Sequence, residues 1–141
     1  MDRLYGTFVT HKRASLDTIE ALSGGDEASA RSDLLAAGAD EAFVLQTCNR
    51  VEFYVRGSRA HLGSAVDESQ VHEDAIDRVR GFDVARHAFR VAAGLESMVV
   101  GEDEILGQFE DAVEDARSDL GGSLEETLDG AIRAGKRVRN E

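Results

Sequence analysis

Cys48 is the single cysteine in 141 residues, so it can join no internal disulfide and no zinc site built on paired thiolates. It stands between Thr47 and Asn49, with Arg50 two residues on. A guanidinium that close favours the thiolate, and a turn-forming asparagine leaves the sulfur able to face solvent. Such a thiolate can attack a carbonyl carbon and form a thioester, needing no strong base when the substrate is an activated ester. A lone cysteine is also commonly a small buried hydrophobe, and local chemistry leaves the two readings level. His87 divides in the same way: it can be a satisfied core residue, or it can carry a proton to a leaving group near neutral pH. His11, His61 and His72 show no metal-ligand spacing with one another or with Cys48, and read as structural or surface groups.

The segment from Gly94 to Gln108 interrupts an apolar run with three glycines and a set of polar residues immediately before a helix. Any one acid there can simply complement the helix dipole. Ser97, Glu102, Asp103, Glu104 and Gln108 together read as a recognition surface for a small polar ligand bearing an amine and a carboxylate.

The elements that must hold these groups follow from periodicity. Leu4 to Thr10, Glu41 to Gln46 and Val51 to Arg56 are β-prone runs, which puts Cys48 at a strand junction. Ser15 can cap a short helix through Leu22, and a second helix from Glu27 to Ala37 is closed by Gly38. Residues 57–80 are polar with weak periodicity and receive no assignment. Val84, His87, Ala88, Val91 and Ala92 mark one face of a helix from Asp83 that Gly94 can end, so His87 lies on the apolar face. A further helix runs from Glu102 to about Ser118, with Ile105, Leu106, Phe109, Ala112, Val113 and Ala116 on one stripe, and Gly121-Gly122 stop it. Ser123 and Glu126 have capping-box spacing for a last helix over 123–141. Its apolar face is Leu124, Leu128, Ala131 and Ile132, and Arg133, Lys136, Arg137 and Arg139 suit the negative end of its dipole. It reaches Glu141 without Gly or Pro, which reads as a cut. The expected fold is α+β, one domain over 1–141: a small sheet packed with helices, ferredoxin-like and βαβ-type, with a helical C-terminal part.

Apolar residues make up 42% of the chain, too many for a disordered one. No apolar run approaches the roughly 18 residues of a membrane span and the start lacks a signal peptide, so the expected location is the cytoplasm, with no membrane partner. Asp and Glu total 28 against 16 Lys and Arg, a net charge of −12, and only Lys12 and Lys136 are lysines. In dilute buffer such a chain repels polyanions, but in molar salt the Debye length shrinks to about 3 Å and the repulsion is screened. The composition therefore points to a halophilic source.

Thr47-Cys48-Asn49-Arg50-Val51-Glu52-Phe53-Tyr54 resembles the TCNR-x-E-x-Y signature of the glutamyl-tRNA reductases, and the run from His87 to Gln108 resembles that family's long second signature. His11-Lys12-Arg13-Ala14 is similar to its HK-x-A after the first strand. The resemblance covers the chain as the family's N-terminal catalytic domain, with the NADPH-binding and dimerisation domains beyond it, and no G-x-G-x-x-G loop occurs here. It implies that Cys48 attacks the ester joining glutamate to the terminal ribose of its tRNA, giving a thioester. NADPH then reduces this to glutamate 1-semialdehyde, for tetrapyrrole (porphyrin, haem) biosynthesis. By the same resemblance Arg50 holds the substrate carboxylate. Thr47, Asn49, Ser97, Glu102, Asp103, Glu104 and Gln108 match substrate-contacting positions, and His87 matches a histidine important for activity. The implied partners are glutamyl-tRNA, glutamate-1-semialdehyde aminotransferase and, in the full-length protein, a second subunit. Two departures stand out: Glu96 where Asp is common, and Glu104 where Gln is common, which replaces an amide donor by an acceptor. The rival expectation is a non-catalytic tRNA- or partner-binding module with an inert Cys48.

Overall fold

The expected β-prone runs all form strands, and a fourth joins them, in a computed structural model that describes residues 3–63, 65–66, 69–97 and 104–140. Strands β1 (Leu4–Thr10), β2 (Glu41–Thr47), β3 (Arg50–Arg56) and β4 (Asp77–Arg80) make one antiparallel sheet in the order β2-β3-β1-β4. The register pairs Thr47 with Arg50, Thr10 with Arg50 and Tyr5 with Arg80. Strand order and direction are those of a ferredoxin-like split βαβ pattern, and the α+β expectation holds. One crossover departs from that pattern. Where a ferredoxin-like fold has a helix, β3 reaches β4 through two 3₁₀ turns, Arg59–Leu62 and Glu73–Ala75. β4 lies in the unassigned stretch because its residues, Asp77-Arg78-Val79-Arg80, are mostly charged; charge on an edge strand discourages pairing with another chain but also hides the strand's apolar alternation.

Helices cover both faces of the sheet. α1 (Leu16–Leu22) and α2 (Glu27–Ala36) lie on one face and bring Ile19 and Leu34 against Val9, Val44, Val51, Phe53 and Val55. The Ser15 and Asp26 side chains cap them by accepting amide hydrogens of Thr18 and Ser29. On the other face, α3 (Phe82–Ala92), α4 (Glu104–Ala116) and α5 (Ser123–Asn140) pack onto Leu4, Phe8, Phe43, Leu45 and Tyr54. The stripe expected on α4 is buried along its whole length. α3 and α5 approach so closely that a Cβ on Gly135 would sit 2.8 Å from the carbonyl oxygen of Ala92. Among the described residues no helix is long and apolar enough to cross a membrane.

The start of α5 differs from the expected capping box. Ser123 lies inside the helix, and the buried carboxylate of Glu41, from the beginning of β2, accepts the amide hydrogens of Gly121, Gly122, Leu124 and Glu125 at 2.9–3.1 Å. Arg56 Nε donates to the same group at 2.8 Å. A full negative charge at a helix N-terminus satisfies more orphan donors than a serine hydroxyl can, so the tertiary cap displaces the local one. Burial alone would raise the Glu41 pKa, but the amide donors and Arg56 outweigh it and hold the carboxyl below its usual range. Gly122 permits the approach, because a Cβ there would meet Glu41 Oε1 at 2.8 Å.

Candidate active site

Cys48 and Asn49 form a two-residue turn between β2 and β3. No described non-glycine residue has positive φ, which excludes the primed hairpin turns and type II. The turn is held from both sides instead. Thr47 Oγ1 accepts the Asn49 amide hydrogen at 3.1 Å, and the Asn49 carbonyl accepts that of His11 at 2.9 Å. This leaves the Cys48 side chain exposed, so the buried-hydrophobe reading fails.

Thr47, Cys48, Asn49 and Arg50 line a small cleft whose other wall is Ser97, Glu104, Ile105 and Gln108. Tertiary structure thus brings the two polar segments, some fifty residues apart in the chain, onto one opening. Glu102 and Asp103 lie outside the described residues. His87 is not among the residues lining the cleft. From α3, its Nε2 donates to Glu52 Oε2 at 2.6 Å, and its ring stacks on Phe8 with centroids 4.0 Å apart.

Glu52 is the centre of this arrangement. It is fully buried, and Arg50 Nη1 donates to it at 3.0 Å and the Tyr54 hydroxyl at 2.8 Å, besides His87. Burial would raise its pKa, but the adjacent His87 and Arg50 charges and the Tyr54 hydrogen bond bring it down to about 2. Tyr54 is pushed well above its usual range by burial and by the Glu52 charge. Arg50 is 1% exposed; its Nη2 donates to the Glu96 carbonyl and its Nε is buried without a partner among the described residues. Glu96 closes the network. Its backbone oxygen also accepts from His11 Nε2 at 3.0 Å, and its carboxylate pairs with Lys12 and, at 3.6 Å, with Arg90. Burial would raise the Glu96 pKa, but Lys12, Arg90 and His87 together outweigh it and hold the carboxyl below its usual range.

Sequence reasoning gave Glu52, Tyr54, Lys12 and Glu96 no role beyond their place in motifs. A signal was present: Arg50, Glu52 and Tyr54 alternate along one strand and so share a face. Ionisable residues on an inward face must be paired to each other. His61 donates to the Ala37 carbonyl at 3.0 Å and His72 accepts the Asp74 amide hydrogen at 3.1 Å, in keeping with structural or surface roles. No cluster of three metal-ligating side chains occurs among the described residues.

Residues 8–141 match the family model described as glutamyl-tRNAGlu reductase, N-terminal domain. The chain belongs to this family. It is 42% identical over 142 residues to a glutamyl-tRNA reductase of Natronomonas pharaonis, covering 96% of this chain and 31% of that protein. With the glutamyl-tRNA reductase of Caldivirga maquilingensis it shares 43% identity, over 99% of this chain and 34% of the relative. The solved structure of the Methanopyrus kandleri enzyme superposes with a TM-score of 0.88 at 36% identity, covering 99% of this chain and 35% of that one. The chain therefore spans about a third of the length of the relatives it matches.

Proposed function

We propose that this chain is the part of a cytoplasmic glutamyl-tRNA reductase that binds glutamyl-tRNA and takes the glutamyl group onto Cys48. The observation that carries the reading is the exposed Cys48 at the mouth of a cleft walled by Arg50, Ser97, Glu104 and Gln108. The sulfur attacks the ester carbonyl carbon, the bond to the ribose oxygen breaks, and the thiol proton ends on that oxygen; the products are an enzyme thioester and free tRNA. Glu104 accepts hydrogen bonds from the substrate ammonium, and Arg50 donates to its carboxylate. Thr47, Asn49, Ser97 and Gln108 complete the polar lining, with Glu102 and Asp103 assigned to the same task. His87 acts as a positioning residue, holding Arg50 in place through Glu52.

On this reading NADPH is held by another domain, which the antiparallel pairing of the described sheet, without a glycine-rich strand-to-helix turn of the dinucleotide type, supports. The step assigned to these residues is formation of the thioester. Reduction to glutamate 1-semialdehyde, dimerisation and hand-over to the aminotransferase belong, on this reading, to further domains of a longer protein. The net charge of −12 supports a halophilic source for that protein.

The test is to incubate the chain with glutamyl-tRNA and analyse Cys48 by mass spectrometry. A glutamyl adduct on Cys48, with slow release of free glutamate and no semialdehyde when NADPH is added, is expected. An unmodified Cys48 would favour the inert binding module.

A further inference from the structure

In a chain of net charge −12, most described cations are engaged with carboxylates, but Arg59, Arg80 and Arg86, like Arg133 and Arg137 on α5, make no hydrogen bond or ion pair among the described residues. Arg59 and Arg80 are neighbours in space. Arg59, in the first 3₁₀ turn, and Arg80, on β4, line one groove together with Tyr5 and Arg78, the latter paired with Glu73. Tyr5 pairs with Arg80 and Thr7 with Arg78, so both arginines point to one face of the sheet edge while Val79 packs into the core behind them. Asp83 borders this groove and also a shallower one on α3 that carries Arg86, Phe82 and Phe89. Phe82 is 77% exposed, the most open large apolar side chain among the described residues.

Unneutralised guanidinium groups beside an open aromatic ring match the chemistry of a nucleic acid strand: phosphates for the cations and a base face for the ring. We propose that this face holds the acceptor arm of the tRNA, with Arg59 and Arg80 on backbone phosphates and Phe82 stacked on a base. The inference rests on the reading of glutamyl-tRNA as substrate. Tyr5, beside Arg80, lies five residue steps along β1 from Thr10, beside the Cys48 turn, a span of about 17 Å, and the groove arginines sit on the sheet face opposite the cleft, so a strand that reaches both passes around the β4 edge by way of α3.

The experiment measures binding of uncharged, fluorophore-labelled tRNAGlu by anisotropy across a salt series. The parent chain is compared with Arg59→Ala/Arg80→Ala, with Phe82→Ala, and with Arg133→Ala/Arg137→Ala on α5 as a control. Removing two phosphate contacts should weaken binding and flatten the slope of log K against log salt by roughly 1.4 to 1.8. Phe82→Ala should weaken binding about fivefold or more and leave the slope unchanged. The control should behave as the parent. Acylation of Cys48 by a small glutamyl thioester, which needs no tRNA, should be equal in all four proteins and shows that each is folded. Parental binding by both Arg59→Ala/Arg80→Ala and Phe82→Ala, or an equal loss in the control, overturns the proposal. So does a parent that binds no tRNA but whose sedimentation changes on Phe82→Ala, which would make the face a protein interface. If the tRNA binds as expected but Cys48 takes no glutamyl group from it, the catalytic reading fails and the binding surface stands.

Discussion

A buried carboxylate with three donors is indispensable in a different way from an exposed nucleophile. Cys48→Ser removes the attacking sulfur without touching the network, so thioester trapping should vanish while the thermal midpoint stays at the parental value. Glu52→Gln should do the reverse. It leaves Arg50 and His87 buried beside a neutral amide, and breaking such a pair is expected to remove about 3 to 5 kcal/mol of stability, read from denaturant unfolding. His87→Ala should slow acylation less than Cys48→Ser, because Arg50 keeps its bond to the Glu96 carbonyl; single-turnover transfer from glutamyl-tRNA measures the ranking. The pH dependence follows from the Glu52 pKa of about 2. A carboxyl depressed in the folded state contributes stability above its unfolded value of 4.5, and that contribution is lost as pH falls toward 2. Denaturant midpoints should therefore drop steeply between those pH values in the parent and more gently in Glu52→Gln.

At the scale of elements, the start of α5 separates local from tertiary capping. Ser123→Ala should change stability by less than about 0.5 kcal/mol, because the first-turn amides are held by Glu41. Glu41→Ala should remove about 3 kcal/mol or more, since it strips four amides of their acceptor and leaves Arg56 without its closest partner. Equal effects of the two substitutions in thermal unfolding would refute the tertiary cap. This contact also ties α5 to β2, whose far end carries Thr47 and the Cys48 turn.

For the molecule as a whole, the dominant number is the excess of 12 negative charges. Repulsion among surface carboxylates opposes the compact state in dilute buffer, and molar salt screens it. The thermal midpoint should rise between low and molar KCl, and an unchanged midpoint would refute the halophilic reading. Glu52 and Glu41, being buried in hydrogen-bonded pairs, should contribute little to that salt dependence, so their variants should lower the midpoint at both salt concentrations.

The sequence by itself determined the strands and helices whose apolar spacing is regular, from Leu4–Thr10 to α4, because periodicity follows from the backbone repeat and needs no partner. It also marked Cys48 and the two polar segments, since residue type and order carry the family motifs. β4 was illegible: a four-residue edge strand with three charged side chains has no apolar alternation, and only pairing with β1 makes it a strand. The Glu41 cap, the Glu52 network and the closing of the cleft by Ser97, Glu104 and Gln108 were decided by tertiary structure alone. Each joins residues far apart in the chain, and a buried charge is stable only where the fold delivers its donors.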